Sequence, residues 1–163
     1  MEKIELGNEY KVEIGRLYHY PIMLRKEDIR RMLTDIINND VTSEWCYSCN
    51  VKKEAEIPIP SASDYEPEAE ALANGGTLNF ELWYAFENEV NGGAVDNYEL
   101  TLENLIDAAS LNIDMIDNYL KKRITEYDES NKEYYLNMER MNEDIEDTIV
   151  QTALFDRVVF FRK

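Results

Sequence analysis

The sequence predicts an α+β fold: a small, mostly antiparallel sheet packed by helices, with a C-terminal helical hairpin. Three observations lead there. Apolar residues recur at three- and four-residue steps in some regions and alternate in others, and a turn signal, Asn91-Gly92-Gly93, separates two of the alternating runs. With 163 residues, 44% of them hydrophobic, the chain has the length of a single domain, residues 1–163, and enough apolar side chain to build a core.

Each element has its own signal. Tyr10 to Ile14 alternates weakly and reads as a strand followed by Gly15. Ile29, Met32, Leu33, Ile36 and Ile37 form one helical stripe, predicting a helix over about 25–38 that stops at Asn38-Asn39. Trp45, Tyr47, Cys49 and Val51 alternate with smaller or polar residues, as in a half-buried strand. Residues 57–67 hold three of the four prolines and read as a surface loop. A short helix follows, capped by Ser63 or Asp64 and stopped by Gly75. Thr77 to Phe86 and Val95 to Leu100 form the hairpin, and Thr101 caps a helix from Leu102 to about Ala109. Ile113, Ile116, Leu120, Ile124 and Tyr127 make a further helical stripe. Beyond a break at Asp128-Glu129-Ser130-Asn131, Tyr135, Met138, Met141, Ile145, Ile149 and Thr152 continue at the same spacing. Together they predict a helical hairpin over 112–154. Val158-Val159-Phe160-Phe161 closes the chain as a buried strand.

Charge is the strongest compositional feature. The chain carries 34 acids against 17 bases, a net charge of −17. Residues 1–53 balance nine acids with nine bases, and residues 121–163 are nearly balanced. Residues 54–120 hold fifteen acids and no Lys, Arg or His. Interleaved Leu78, Phe80, Leu82, Trp83 and Leu105 mark this stretch as folded with an acidic outside. Such a balance argues against direct binding to nucleic acid or to an anionic membrane. No apolar run approaches a membrane span, and residues 1–5 do not begin a secretory signal.

Candidate chemistry is sparse. Cys46-Tyr47-Ser48-Cys49 is a lone CxxC, and His19 is the only histidine, so one chain cannot complete a four-ligand Cys/His zinc site. On a regular strand the two cysteines would lie roughly 10 Å apart and face opposite ways, beyond the reach of about 7 Å that a disulfide allows. They are expected to be reduced structural thiols. His19 reads as a surface or edge residue. Glu9-Tyr10-Lys11 has the E-x-K form of some metal-dependent nucleases but lacks their upstream aspartate. Phosphate-binding glycine loops, calcium loops and serine-nucleophile motifs do not occur. The expectation is therefore a protein with no catalytic residue, no metal and no cofactor. Tyr119, Tyr127, Tyr134 and Tyr135 fall on the predicted hairpin, where exposed tyrosines would suit a protein interface.

Five stretches in order resemble a family of small acidic proteins common in phage and prophage genomes. They are Glu27-Asp28-Ile29, Trp45-Cys46, Gly75-Gly76-Thr77-Leu78, the run Glu99 to Leu105, and the run Asp147 to Phe160. That family carries glycine where Asp156 stands here, and residues 110–140 are longer than is usual for it. No biochemical activity is assigned to the family, so the resemblance implies phage context and a bacterial host cytoplasm, without site residues.

Charge and context together predict a nucleic-acid mimic. Duplex DNA presents one charge per about 1.7 Å, and a folded acidic surface can fill a basic groove built for it. The expected partner is a host protein with a basic nucleic-acid-binding surface, such as a restriction or CRISPR effector. The expected contact set is Glu66, Glu68 and Glu70 at a helix start, Glu81, Glu87, Glu89, Asp96 and Glu99 around the hairpin, and Glu103 and Asp107 on the next helix. The alternatives are a regulatory protein-interaction module whose acidity serves solubility, and an enzyme with an unrecognised site.

Overall fold

The computed structural model describes residues 4–59, 61–83, 97–119 and 124–160, with the backbone alone for 114–119. The described residues form an α+β fold with two sheets. The first sheet has strand order β1-β2-β7-β6: β1 (Lys11–Leu17), β2 (Tyr20–Arg25), β7 (Glu133–Leu136) and β6 (Thr125–Asp128). Its β2–β7 pair is parallel and its other pairs are antiparallel. The second is an antiparallel sheet of β3 (Cys46–Lys53), β4 (Thr77–Leu82) and β5 (Asn97–Leu100). Helices α1 (Lys26–Ile37), α3 (Pro67–Ala73), α4 (Leu102–Tyr119) and α5 (Glu143–Phe155) join the sheets through one apolar cluster, and the short α2 (Asp40–Ser43) packs against α5.

The β1–β2 hairpin was not legible as a pair. Its two-residue turn is Tyr18-His19, with φ of 49° and 72°. Both φ values are left-handed, as a tight hairpin turn requires, yet neither residue is the Asn or Gly that normally signals it. Pro21 near the start of β2 also hides the strand. It is tolerated because pairing with β7 begins only at Ile22. Helix α1 falls on its predicted span. The Arg25 N–H donates to the Asp28 carboxylate (2.9 Å) at the third helical position, satisfying an otherwise orphan donor.

Helix α3 is preceded by Glu66, not capped by Ser63 or Asp64; the Ser63 hydroxyl instead accepts from the Tyr65 N–H (3.1 Å). Beyond it, Gly75 has φ of 93°, and a Cβ on Gly76 would lie 2.6 Å from the Lys53 carbonyl oxygen. The Gly-Gly pair therefore lets α3 turn tightly onto the end of β3. β4 ends at Leu82, Trp83 being a bend, and the predicted turn at Asn91-Gly92-Gly93 lies outside the described residues. Thr101 caps α4 as expected, its hydroxyl accepting from the Asn104 N–H (3.1 Å).

Three expectations are corrected. Helix α4 does not stop near Ala109 but runs to Tyr119. Its mid-helix polar residues are satisfied in place: the Ser110 hydroxyl donates to the Ile14 carbonyl (2.6 Å) and the Asn112 amide to the Ala108 carbonyl (2.8 Å). The helical hairpin over 112–154 is instead the end of α4, a β6–β7 hairpin and α5. In β6–β7, Thr125, Tyr127, Tyr134 and Tyr135 follow strand propensity, and Asp128 closes the turn by accepting from the Ser130 and Asn131 N–H groups. The closing strand at 158–161 is irregular chain over its described part.

That last segment is held by a side chain in place of a neighbouring strand. Gln151 is fully buried; its Oε1 accepts from the Val159 and Phe160 N–H groups (2.9 and 2.8 Å), and its Nε2 donates to the Phe160 carbonyl (2.8 Å). Nε2 also donates to Asp147 (2.7 Å), whose buried carboxylate accepts from Thr42 and from the Trp45 indole (both 2.8 Å). Phe160 thereby stacks on Trp45 with centroids 5.5 Å apart and planes 3° from parallel. Asp156 supplies the turn into this segment at φ 63°, a left-handed position following the helix end.

Candidate interaction surface

In β4 the side chains Leu78, Phe80 and Leu82 point into the core and Thr77, Asn79 and Glu81 point out. Short polar contacts cross that half-buried outward face. Ser48 donates to Glu81 (2.9 Å), Asn79 to the Asn97 side chain (2.9 Å), and Lys52 to Glu99 (3.0 Å). At the far end, Trp83 continues the outward face and meets Tyr47 at a centroid distance of 4.7 Å with planes 74° apart. Tyr47 is 56% and Trp83 50% exposed. The Trp83 indole donates to the Ser43 carbonyl (3.0 Å) and its backbone N–H to the Trp45 carbonyl (3.0 Å).

A β-bulge creates this arrangement. Cys46 pairs with Leu82, and Ser48 with Glu81, so one extra residue, Tyr47, is accommodated between them. The bulge breaks the expected alternation: Tyr47 is pushed out to solvent instead of sharing a face with Cys49. It also corrects the reading of the cysteines. Cys46 and Cys49 lie opposite Leu82 and Phe80, so both face the core. Both are free thiols packed against the apolar cluster. Burial pushes the Cys46 pKa up to about 12 and that of Cys49 higher still, so both are protonated near neutrality.

The predicted acidic set is dispersed. Glu103 and Asp107 are exposed on α4, and Glu66 and Glu68 are half-buried at the start of α3. Glu81 and Glu99 share the outward sheet face but are engaged by Ser48 and Lys52. Glu70 does not belong to the surface. It is 3% exposed and forms an ion pair with Arg30, which also binds Glu9 (2.8 Å). Glu87, Glu89 and Asp96 lie outside the described residues. His19 is exposed at the β1–β2 turn, and its carbonyl accepts from Arg16 (3.2 Å). Among the described residues, no three His, Cys, Asp or Glu side chains are grouped to hold a metal ion.

One carboxyl has unusual chemistry. Glu146 on α5 is 3% exposed, and its Oε2 has no hydrogen-bond partner. Burial raises its pKa from 4.5 to about 9, helped by a hydrogen bond to Asp35 and the charge of that residue, and opposed by Arg31. It is a neutral acid in a strongly anionic protein. The sequence offered no signal for it, since Glu146 stands among other acids at Glu143, Asp144 and Asp147. The Tyr47–Trp83 pair was equally hidden, because a bulge is invisible to a period-two reading.

Comparison with protein-family models, with curated proteins and with solved structures finds no match.

Proposed function

We propose that the chain is a non-enzymatic, phage-encoded acidic protein that occupies the basic nucleic-acid-binding groove of a host protein, as an anti-restriction or anti-CRISPR inhibitor would. It works in the host cytoplasm and does not itself bind nucleic acid. The observation that supports this reading is the charge of residues 54–120. Among the described acids of that stretch, Glu56, Glu70 and Glu99 reach a cation of the same chain. Glu66, Glu68, Glu103 and Asp107 have no described salt bridge; Glu103 and Asp107 are exposed and Glu66 and Glu68 partly so, free to meet a partner's bases. A second reading, a regulatory interaction module whose acids keep it soluble, is favoured by the internal use of Glu70 and Glu99.

The test is capture from bacterial lysate at low and high salt, comparing the wild type with a Glu66→Gln, Glu68→Gln, Glu103→Gln, Asp107→Asn variant. Electrostatic docking weakens steeply with salt because screening acts on exposed charges. A partner lost both at high salt and by the variant supports mimicry; one retained equally in all conditions sinks it.

A further inference from the structure

Tyr47 and Trp83 form an exposed aromatic pair over which no described cation of the chain lies, and we propose that it receives an arginine side chain of a basic protein segment. This rests on the proposed docking to a basic partner and names the chemistry at one point of it.

The two rings meet edge to face, 74° apart, and about half of each remains open to solvent. Exposed π-faces attract a guanidinium, and a carboxylate nearby reinforces the attraction. Glu81 lies two residues before Trp83 on the same outward face, and Asp40 and Glu44 are exposed on and just after α2, whose Ser43 carbonyl anchors the Trp83 indole. Residues 32–51 and 54–120, which hold both rings and α2, contain no Lys, Arg or His, and the C-terminal segment packed on Trp45 carries Arg157. Lys52 and Lys53 lie at the opposite end of β3 and pair with Glu99 and Glu56. Elsewhere the fold fills its aromatic faces from within: Arg25 lies over Tyr135 at 5.1 Å and Lys26 over Tyr10 at 5.5 Å. Among the described residues, no cation of the chain lies over Tyr47 or Trp83. The negative surroundings favour an arginine-bearing protein segment over single-stranded nucleic acid, which also stacks on aromatic rings.

The full chain would be titrated against a labelled arginine-rich peptide, a lysine-rich peptide of equal length and charge, and a single-stranded oligonucleotide, reading anisotropy. The arginine peptide is expected to bind about tenfold more tightly than the lysine peptide, because guanidinium stacks and ammonium does not. Trp83→Ala and Tyr47→Leu should each erase that preference, and Trp83→Phe should keep it. Near-UV circular dichroism reports whether the core is intact; Tyr47→Leu decides if Trp83→Ala unfolds. Neutralising Glu66, Glu68, Glu103 and Asp107 should weaken both peptides alike and leave their ratio unchanged. Equal affinity for the two peptides, or a ratio unmoved by the aromatic variants, overturns the corner while leaving charge-driven docking standing. An unaffected neutralised variant alongside a lost ratio overturns the charge reading and leaves the corner. Tight oligonucleotide binding overturns both.

Discussion

Replacing Glu146 by Gln removes one ionisable group from the α1–α5 contact while keeping its shape. The folded pKa of about 9 lies above the unfolded 4.5. The stabilising contribution of the neutral acid is thus complete below about pH 4.5 and is lost as pH rises toward 9. One proton separates the folded from the unfolded state across this window, so the loss is at most about 1.4 kcal/mol per pH unit. By about pH 7.5 the upper limit is about 4 kcal/mol. Asp35 and Arg31 are exposed, and water screens their share, so a realistic figure is about 2 kcal/mol. The glutamine amide can still donate to Asp35 but cannot ionise. Urea unfolding of both proteins from about pH 4.5 to about pH 8.5 measures the effect. The variant should match the wild type at the acid end and exceed it progressively toward the alkaline end. Parallel stability curves would show that Glu146 ionises normally in the folded state, and the argument from burial would fail.

Four further outcomes are expected. Gln151→Ala should cost about 2–4 kcal/mol by leaving the Asp147 carboxylate and the Val159 and Phe160 amides short of partners, read as a lower urea midpoint; an unchanged midpoint would show the clip to be idle. Asp156→Gly should stabilise by about 1 kcal/mol, since φ 63° strains any residue with a Cβ, and thermal melting would detect it. Tyr18→Asn with His19→Gly should stabilise by about 1–2 kcal/mol for the same reason at the β1–β2 turn, read as a raised urea midpoint; a lowered midpoint would contradict it. Cys46 and Cys49 should resist alkylation near pH 8 in the folded protein and react readily in denaturant, because burial keeps both thiols protonated; equal rates in the two states would contradict this.

The elements with repeated, local signals were legible: the α1 stripe, the Thr101 cap, the alternation of β4 and the loop before α3. What escaped depends on distant partners. Ile124 and Tyr127 fit a helical step, but they sit in and beside β6, whose partner β7 is itself paired to β2, about a hundred residues earlier. Propensity at Thr125, Tyr134 and Tyr135 pointed to strand, and the apolar spacing outweighed it wrongly. The quoted resemblance stretches turn out to hold structural posts: Asp28 at a helix start, Gly75-Gly76 at a close approach, Thr101 at a cap, Asp147 and Gln151 in the clip. Short sequence patterns of this kind therefore record folding demands here. Of the candidate surface, the charge asymmetry was legible, but the removal of Glu70 to the interior was not, since nothing local marks which acid meets Arg30.

Trp83 is exposed, but it is not loose. Its indole N–H is held by the Ser43 carbonyl and its backbone by Trp45, whose ring is packed in the core against Phe160. A surface ring normally gives up rotamer freedom when something covers it, and that entropy opposes association. Here the ordering was settled when the chain folded. Whatever stacks on Trp83 meets a ring already set in place, and the strength of the encounter is decided by contact alone.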